Sequence, residues 1–241
     1  NLVFNPSLRT LPVESHVDNN YAPVEEIIDN GFGYVTSDGS VYFSVDKVED
    51  YGRLTNQKLE NMSNQGRQVL NDEEKKNPMD FALWKAAKPG EIAWDSPWGK
   101  GRPGWHIECS VMATRYLGKT IDIHGGGQDL CFPHHENEIA QSEAANGCEF
   151  SRFWVHNGYI NVDNQKMSKS KGNFFMTRDV AREYGYGVIR FFLVSAHYRS
   201  PINYSFDAIE QCKASLERLY TCRDNMDFAL KNAVEQAGQK D

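Results

Sequence analysis

The run Thr120-Ile121-Asp122-Ile123-His124 reads as a short buried strand, and it passes directly into Gly125-Gly126-Gly127. A few residues later Pro133 opens a segment, ending near Asn146-Gly147, with the composition and terminal signals of a helix. Strand, glycine turn and helix in this order predict an α/β fold. In an open α/β sheet ligands bind at the carboxyl ends of the strands, and glycines there permit tight turning and close backbone approach. The first turn of the predicted helix carries candidate metal ligands. The glycines are therefore expected to make room for a sugar or base rather than a phosphate.

Those candidate ligands lie in Phe132-Pro133-His134-His135-Glu136-Asn137-Glu138. Residues four apart share a helix face, so His134 and Glu138 would present an imidazole and a carboxylate side by side. Cys109, in Gly104-Trp105-His106-Ile107-Glu108-Cys109, falls on a helix predicted to start after Pro103-Gly104. A thiolate brought to the same point would complete an N, O, S donor set suited to zinc. The alternative reading has His134 and Glu138 hydrogen-bonded on a solvated helix face and Cys109 as a small buried hydrophobe. Spacing leaves both readings open, since no Cys-x-x-Cys pair anchors a zinc site.

Downstream, Asp163-Asn164 forms a turn pair leading into Lys166-Met167-Ser168-Lys169-Ser170-Lys171-Gly172. Two lysines three residues apart, flanked by serines, make a cationic loop able to neutralise charge on the α-phosphate of a nucleotide and on departing pyrophosphate. A solvated basic turn has the same composition.

Taken together, Lys166-Met167-Ser168-Lys169-Ser170, the Cys109 segment, Asp122-Ile123-His124-Gly125-Gly126-Gly127 and the His134 segment closely resemble the cysteinyl-tRNA synthetases, a family of class I aminoacyl-tRNA synthetases. The similarity extends from Gly33-Tyr34-Val35 through Asp80-Phe81-Ala82-Leu83-Trp84-Lys85 to His197-Tyr198-Arg199-Ser200-Pro201, most of the chain. The resemblance implies a zinc ion that binds the substrate thiolate, with Cys109, His134 and Glu138 as three of its four protein ligands. It implies that Trp105 and His124 line the amino-acid pocket, against the alternative of core packing. Gly127 and Asp129 match the segment facing the ATP ribose, and Lys169 matches the lysine that contacts ATP, with Lys166 assisting. The implied partners are L-cysteine, ATP with magnesium, and tRNA(Cys). The implied reaction is formation of cysteinyl adenylate, then transfer to the terminal adenosine of the tRNA.

The chain departs from the family pattern in lacking a His-Ile-Gly-His type motif and the cysteine near it that supplies the fourth zinc ligand. It is therefore expected to be a fragment with half an ATP site and an incomplete zinc site. Two other readings stand beside the synthetase. One is the cysteine ligase of mycothiol synthesis, which shares the zinc, the lysine loop and the adenylate chemistry; His124 and a long C-terminal helix favour the synthetase. The other is a noncatalytic binding module.

The resemblance divides the chain into a connective insertion region over 1–79, the second half of a Rossmann-like nucleotide-binding domain over 80–196, and the start of a helical tRNA-contacting region over 197–241. Residues 1–20 are expected to form an extended connector, 24–29 a short helix, and 31–45 a hairpin around Ser37-Asp38-Gly39. Charged residues over 58–76 suggest an exposed helical or mobile segment. Residues 188–194 supply an apolar face, and a helix beginning at Tyr204-Ser205 runs towards Gln236, its leucines and tyrosines expected to pack on helices outside this chain. No apolar run is long enough to span a bilayer. Five cysteines, odd in number and without framework spacing, point to a reducing cytoplasm. The net charge of -7 does not advertise a nucleic-acid partner, although the local field at a site outweighs the total.

Overall fold

The computed structural model describes residues 22–56, 75–167 and 172–237. The expectations for residues 1–20, for most of the charged stretch 58–76, and for Lys169 lie outside the described residues. The chain separates into two compact units, Asn1–Val155 and His156–Asp241. The divisions expected at 79/80 and 196/197 do not coincide with that separation. Strands on either side of 79/80 pair in one sheet, and strands on either side of 196/197 pair in another.

In the first unit α1 (Ala22–Asp29) is amphipathic, with Val24 and Ile27 buried one turn apart. The predicted hairpin follows as β1 (Gly33–Val35) and β2 (Val41–Phe43), antiparallel with Val35 opposite Val41. Its turn is closed by Asp38, whose carboxylate accepts from the Ser40 amide at 2.9 Å, and by Gly39 at φ 86°. Two further antiparallel strands, β3 (Phe81–Ala86) and β4 (Gly101–Pro103), extend the sheet in the order β1-β2-β3-β4. Phe43, Leu83 and Trp84 form the core of this unit with Val24 and Ile27, joined by Ile107 and Ala140 from the helices described next. Asp80, buried at the entry to β3, accepts from the Val45 amide at 3.0 Å and from the Tyr34 hydroxyl at 2.7 Å, which fixes the approach of β3 to the hairpin.

The α2 helix (Ile107–Leu117) starts where the sequence predicts, and Gly118 closes it. β5 runs over Ile121–Gly127, so the three glycines are part of the strand rather than a turn after it. The expectation of a buried strand holds only at Ile121. Ile123 is 62% exposed, and so is much of Phe153 on its partner β6 (Ser151–Asn157), because nothing among the described residues covers that face. Phe132 is extended (φ -138°, ψ 134°), so the next helical turn begins at Pro133 as expected and continues into α3 (Glu136–Asn146). Gly147, left-handed at φ 66°, terminates it.

In the second unit Asp163 and Asn164, both at positive φ, turn β7 (Ile160–Val162) into the antiparallel β8 (Gln165–Lys166). Two helices, α4 (Thr177–Tyr184) and α5 (Tyr186–Val194), then lead to β9 (Ile202–Tyr204), which lies parallel to β7. A parallel pair needs such a crossover. Val188 and Phe192, one turn apart on α5, pack with Val162, Tyr204 and Ile209. The long helix α6 (Phe206–Ala237) begins at the predicted place, its first turn capped by Ser205, whose hydroxyl accepts from the Ala208 amide at 3.2 Å. Leu219, Met226, Phe228 and Leu230 along it are exposed. No helix among the described residues is long and apolar enough to cross a membrane.

Candidate functional site

Three elements of the first unit converge on one point. The start of α2 is held against β3 because Gly104 lies so close to the Ala82 carbonyl that a Cβ would overlap it. This sets Trp105, His106 and Cys109 beside α3. β5 brings His124 from one side, and the turn before α3 brings His134 and His135.

The α3 helix is polar on nearly every face, yet it is among the most buried elements, with Glu136, Asn137, Glu138 and Gln141 each no more than 2% exposed. Burial of so many polar groups requires a partner for each. The Glu136 carboxylate accepts from the Gly52 and Leu54 amides at 2.8 and 3.0 Å, although burial still pushes this carboxyl up. Asn137 accepts from the Tyr51 hydroxyl. Gln141 donates to the His106 carbonyl and to Ser110 Oγ, each at 2.6 Å. The helix is thereby fixed in rotation about its own axis.

Glu138 has no such amide or hydroxyl donor, and Gln141 Oε1 likewise lacks a hydrogen-bond partner. Glu138 Oε1 lies 2.7 Å from His134 Nε2 and its Oε2 lies 3.1 Å from His124 Nε2. Both oxygens are sealed from solvent, and neither meets its facing imidazole in a well-formed hydrogen bond. Burial pushes the Glu138 carboxyl up, but the two imidazoles closing on it more than reverse this and hold it at about 2. Cys109, half-buried on α2, completes the arrangement: one donor atom each from Cys109, His134 and Glu138 lies within 4.8 Å of the others. Burial, reinforced by the Glu138 and Glu108 carboxylates, pushes the Cys109 thiol up to about 12. A divalent cation reverses that preference, since a coordinating thiol is deprotonated outright. The donor set of sulfur, imidazole and carboxylate, together with the orphaned oxygens, fits zinc.

Of the residues singled out from sequence, the structure brings Cys109, His134, Glu138, His124 and Trp105 to this one place. Trp105 is 58% exposed, its ring centroid 4.8 Å from that of His134, an aromatic wall at the edge of the cluster. Gly127 ends β5, and the space a side chain would need there is occupied by the carboxylate of Asp129, itself exposed on the turn Gln128–Leu130. A Cβ at Gly126 would lie 2.8 Å from His135 Cε1. Those glycines therefore make room for side chains of this chain, a role the sugar-or-base expectation did not include. Lys166 ends β8 in the second unit, and Lys169 lies outside the described residues. Cys131, close to His134 in sequence, has its sulfur 4.0 Å from the Leu54 carbonyl and belongs to neither metal-capable group.

Sequence reasoning missed His135 and His106. His135, His124 and Glu138 form a second group of donor atoms within 4.8 Å of one another, sharing Glu138 with the first. The His124 ring also meets the Trp154 ring at 4.8 Å. His106 Nδ1 lies 2.8 Å from His134 Nδ1. The only signal for either was adjacency to a residue already chosen, which does not say which way a ring points.

Comparison with known proteins gives a consistent result. A family model described as tRNA synthetases class I (C) catalytic domain matches residues 1–214. A cysteine-tRNA ligase of Clostridioides difficile is 58% identical over 212 residues, covering 88% of this chain and 45% of that protein. The cysteine-tRNA ligase of Caldicellulosiruptor saccharolyticus is 54% identical over 225 residues, covering 93% of this chain and 48% of that protein. The chain thus spans about half the length of the curated relatives it matches. Among solved structures, methionyl-tRNA synthetase of Mycobacterium tuberculosis in complex with methionyl-adenylate aligns with a TM-score of 0.56 at 15% identity, covering 84% of this chain and 50% of that one. At that identity the likeness speaks to the fold alone, an α/β class I synthetase catalytic domain. With the family model covering most of its length, the chain belongs to the class I (C) tRNA synthetase catalytic-domain family.

Proposed function

We propose that this chain is the cysteine-selecting part of a cysteine-tRNA ligase, which activates L-cysteine with ATP and transfers it to tRNA(Cys). The observation that carries the reading is the convergence of Cys109, His134 and Glu138 within 4.8 Å, with both Glu138 oxygens buried and lacking a proper donor. The high identity to two cysteine-tRNA ligases supports it.

In this reading Cys109, His134 and Glu138 hold zinc. When bound, zinc supplies a soft Lewis acid that takes the substrate as a thiolate and so separates cysteine from serine without editing. Trp105 offers an aromatic face to the amino acid, and His124 closes the pocket from β5. The cysteine carboxylate oxygen attacks the α-phosphorus of ATP, supplied with magnesium. The bond from that phosphorus to the bridging oxygen breaks, and pyrophosphate leaves with its electron pair. Lys169, assisted by Lys166, neutralises the charge that grows on the α-phosphate and on the leaving group. Gly127 and Asp129 face the ribose. A hydroxyl of the terminal adenosine of tRNA then attacks the carbonyl of cysteinyl adenylate and releases AMP. Residues 1–79 serve as the connective region, 80–196 as the second half of the nucleotide-binding domain, and 197–241 as the start of the tRNA-contacting helices. Five free cysteines suit a reducing cytoplasm.

The test is cysteine-dependent exchange of pyrophosphate into ATP, with zinc content measured by elemental analysis, on the intact protein and on its Cys109→Ser variant. The reading expects exchange with cysteine and not serine, about one zinc per intact chain, and loss of zinc in the variant. Unchanged zinc in Cys109→Ser removes this residue from the ligand set; exchange absent from a folded, zinc-loaded protein overturns the activity.

A further inference from the structure

We propose that His106 is a positioning residue that fixes the tautomer of His134 and thereby makes its Nε2 available to the metal. This inference rests on the zinc reading above and goes beyond it.

Two imidazole nitrogens meeting at 2.8 Å must share one proton, because two bare lone pairs or two N–H groups would repel. His134 turns Nδ1 to His106 and Nε2 to Glu138. For Nε2 to offer a lone pair to a cation, the proton of neutral His134 must sit on Nδ1 and be donated to His106. His106 Nδ1 must then be the acceptor, and the His106 proton must sit on Nε2. In the opposite arrangement His106 donates, His134 carries its proton on Nε2, and that nitrogen has no lone pair left. The tautomer of one buried histidine thus decides whether its neighbour is a ligand.

The structure holds His106 in place for this task. The residue is 7% exposed, and its ring stands edge-on to Phe81 at 5.6 Å and lies 5.0 Å from the Trp105 ring. Its carbonyl is tied to Gln141 on α3, the same helix that carries Glu138. An imidazole acceptor also suits the charge of the site. Metal-bound histidines commonly donate to a carboxylate or carbonyl. Here Cys109 and the Glu138 carboxylate already bring negative charge to the site, and a neutral acceptor orients His134 without adding more.

The experiment measures zinc affinity of the intact protein, by competition with a chromophoric chelator, for wild type, His106→Phe, His106→Asn and Cys109→Ser. It also assigns the ring protons of His106 and His134 by nitrogen-15 NMR of the zinc-loaded wild type. The expected result is a roughly 10–100-fold weaker affinity in His106→Phe. Recovery is expected in His106→Asn, whose side-chain oxygen can accept where Nδ1 did, with His106 protonated at Nε2 and His134 at Nδ1. Wild-type affinity in His106→Phe while Cys109→Ser loses zinc overturns this proposal and leaves the zinc reading standing. A folded wild type that binds no zinc overturns both. Circular dichroism reports whether His106→Phe folds, and if it does not, the NMR assignment decides: a proton on His106 Nδ1 ends the proposal.

Discussion

Glu138 Oε1 lies 2.7 Å from His134 Nε2, one helical turn back on the same face, and the pair is closed off from solvent. The spacing of four residues makes the contact possible, and the burial gives it its consequences. A solvated pair of this kind contributes little. A buried carboxylate, by contrast, depends on the two imidazoles that face it.

Acid should remove this pairing in the metal-free protein. Burial raises the Glu138 carboxyl, the imidazoles of His124 and His134 lower it by more, and the result is about 2 against an ordinary 4.5. A depressed carboxyl binds its proton less tightly folded than unfolded, so its contribution to stability is complete above pH 4.5 and disappears as pH falls towards 2. Thermal melts between pH 5 and 2 should show a smaller loss of stability for Glu138→Gln than for wild type. Parallel curves would mean that Glu138 does not titrate as described.

Gly126→Ala should destabilise the first unit by about 1–3 kcal/mol, the usual range for overpacking. The new methyl would lie 2.8 Å from His135 Cε1 and 3.0 Å from Leu130 Cδ1, and His135 is only 1% exposed with little room to retreat. Denaturant unfolding measures the change; a difference below about 0.5 kcal/mol would show that the ring moves freely.

Lys169→Ala should slow adenylate formation in the intact enzyme by roughly 10²–10³-fold, the range for removing one charge-stabilising group from a transition state. Rapid-quench measurement of single-turnover adenylate synthesis isolates that step. Zinc content should stay at the wild-type level, and an unchanged rate would take Lys169 out of the chemistry.

Periodicity and punctuation made much of the local structure readable. Ser-Asp-Gly placed the first hairpin and Asp-Asn the later turn, because few residues accept the backbone angles those turns need. Pro133 and Gly147 bounded the helix that carries His134 and Glu138, and the four-residue interval set those two on one face. Burial was not readable in the same way. Ile123 looks like core and is exposed, while Glu136, Asn137 and Gln141 look like surface and are buried. Whether a side chain is covered depends on what other segments bring to it.

By itself, then, the sequence determined the first hairpin, the helices that carry Cys109 and Glu138, the long C-terminal helix, the donor types available for a metal, and the family to which the chain belongs. Only the tertiary structure decided that Cys109 on α2, His124 on β5 and His134 before α3 all gather around Glu138. It alone turned His134 with one nitrogen to Glu138 and the other to His106. The physical reason is that local chain geometry fixes neighbours within a turn or a strand. Contacts across 28 residues, such as His106 with His134, depend instead on packing and on the pairing of every buried polar group.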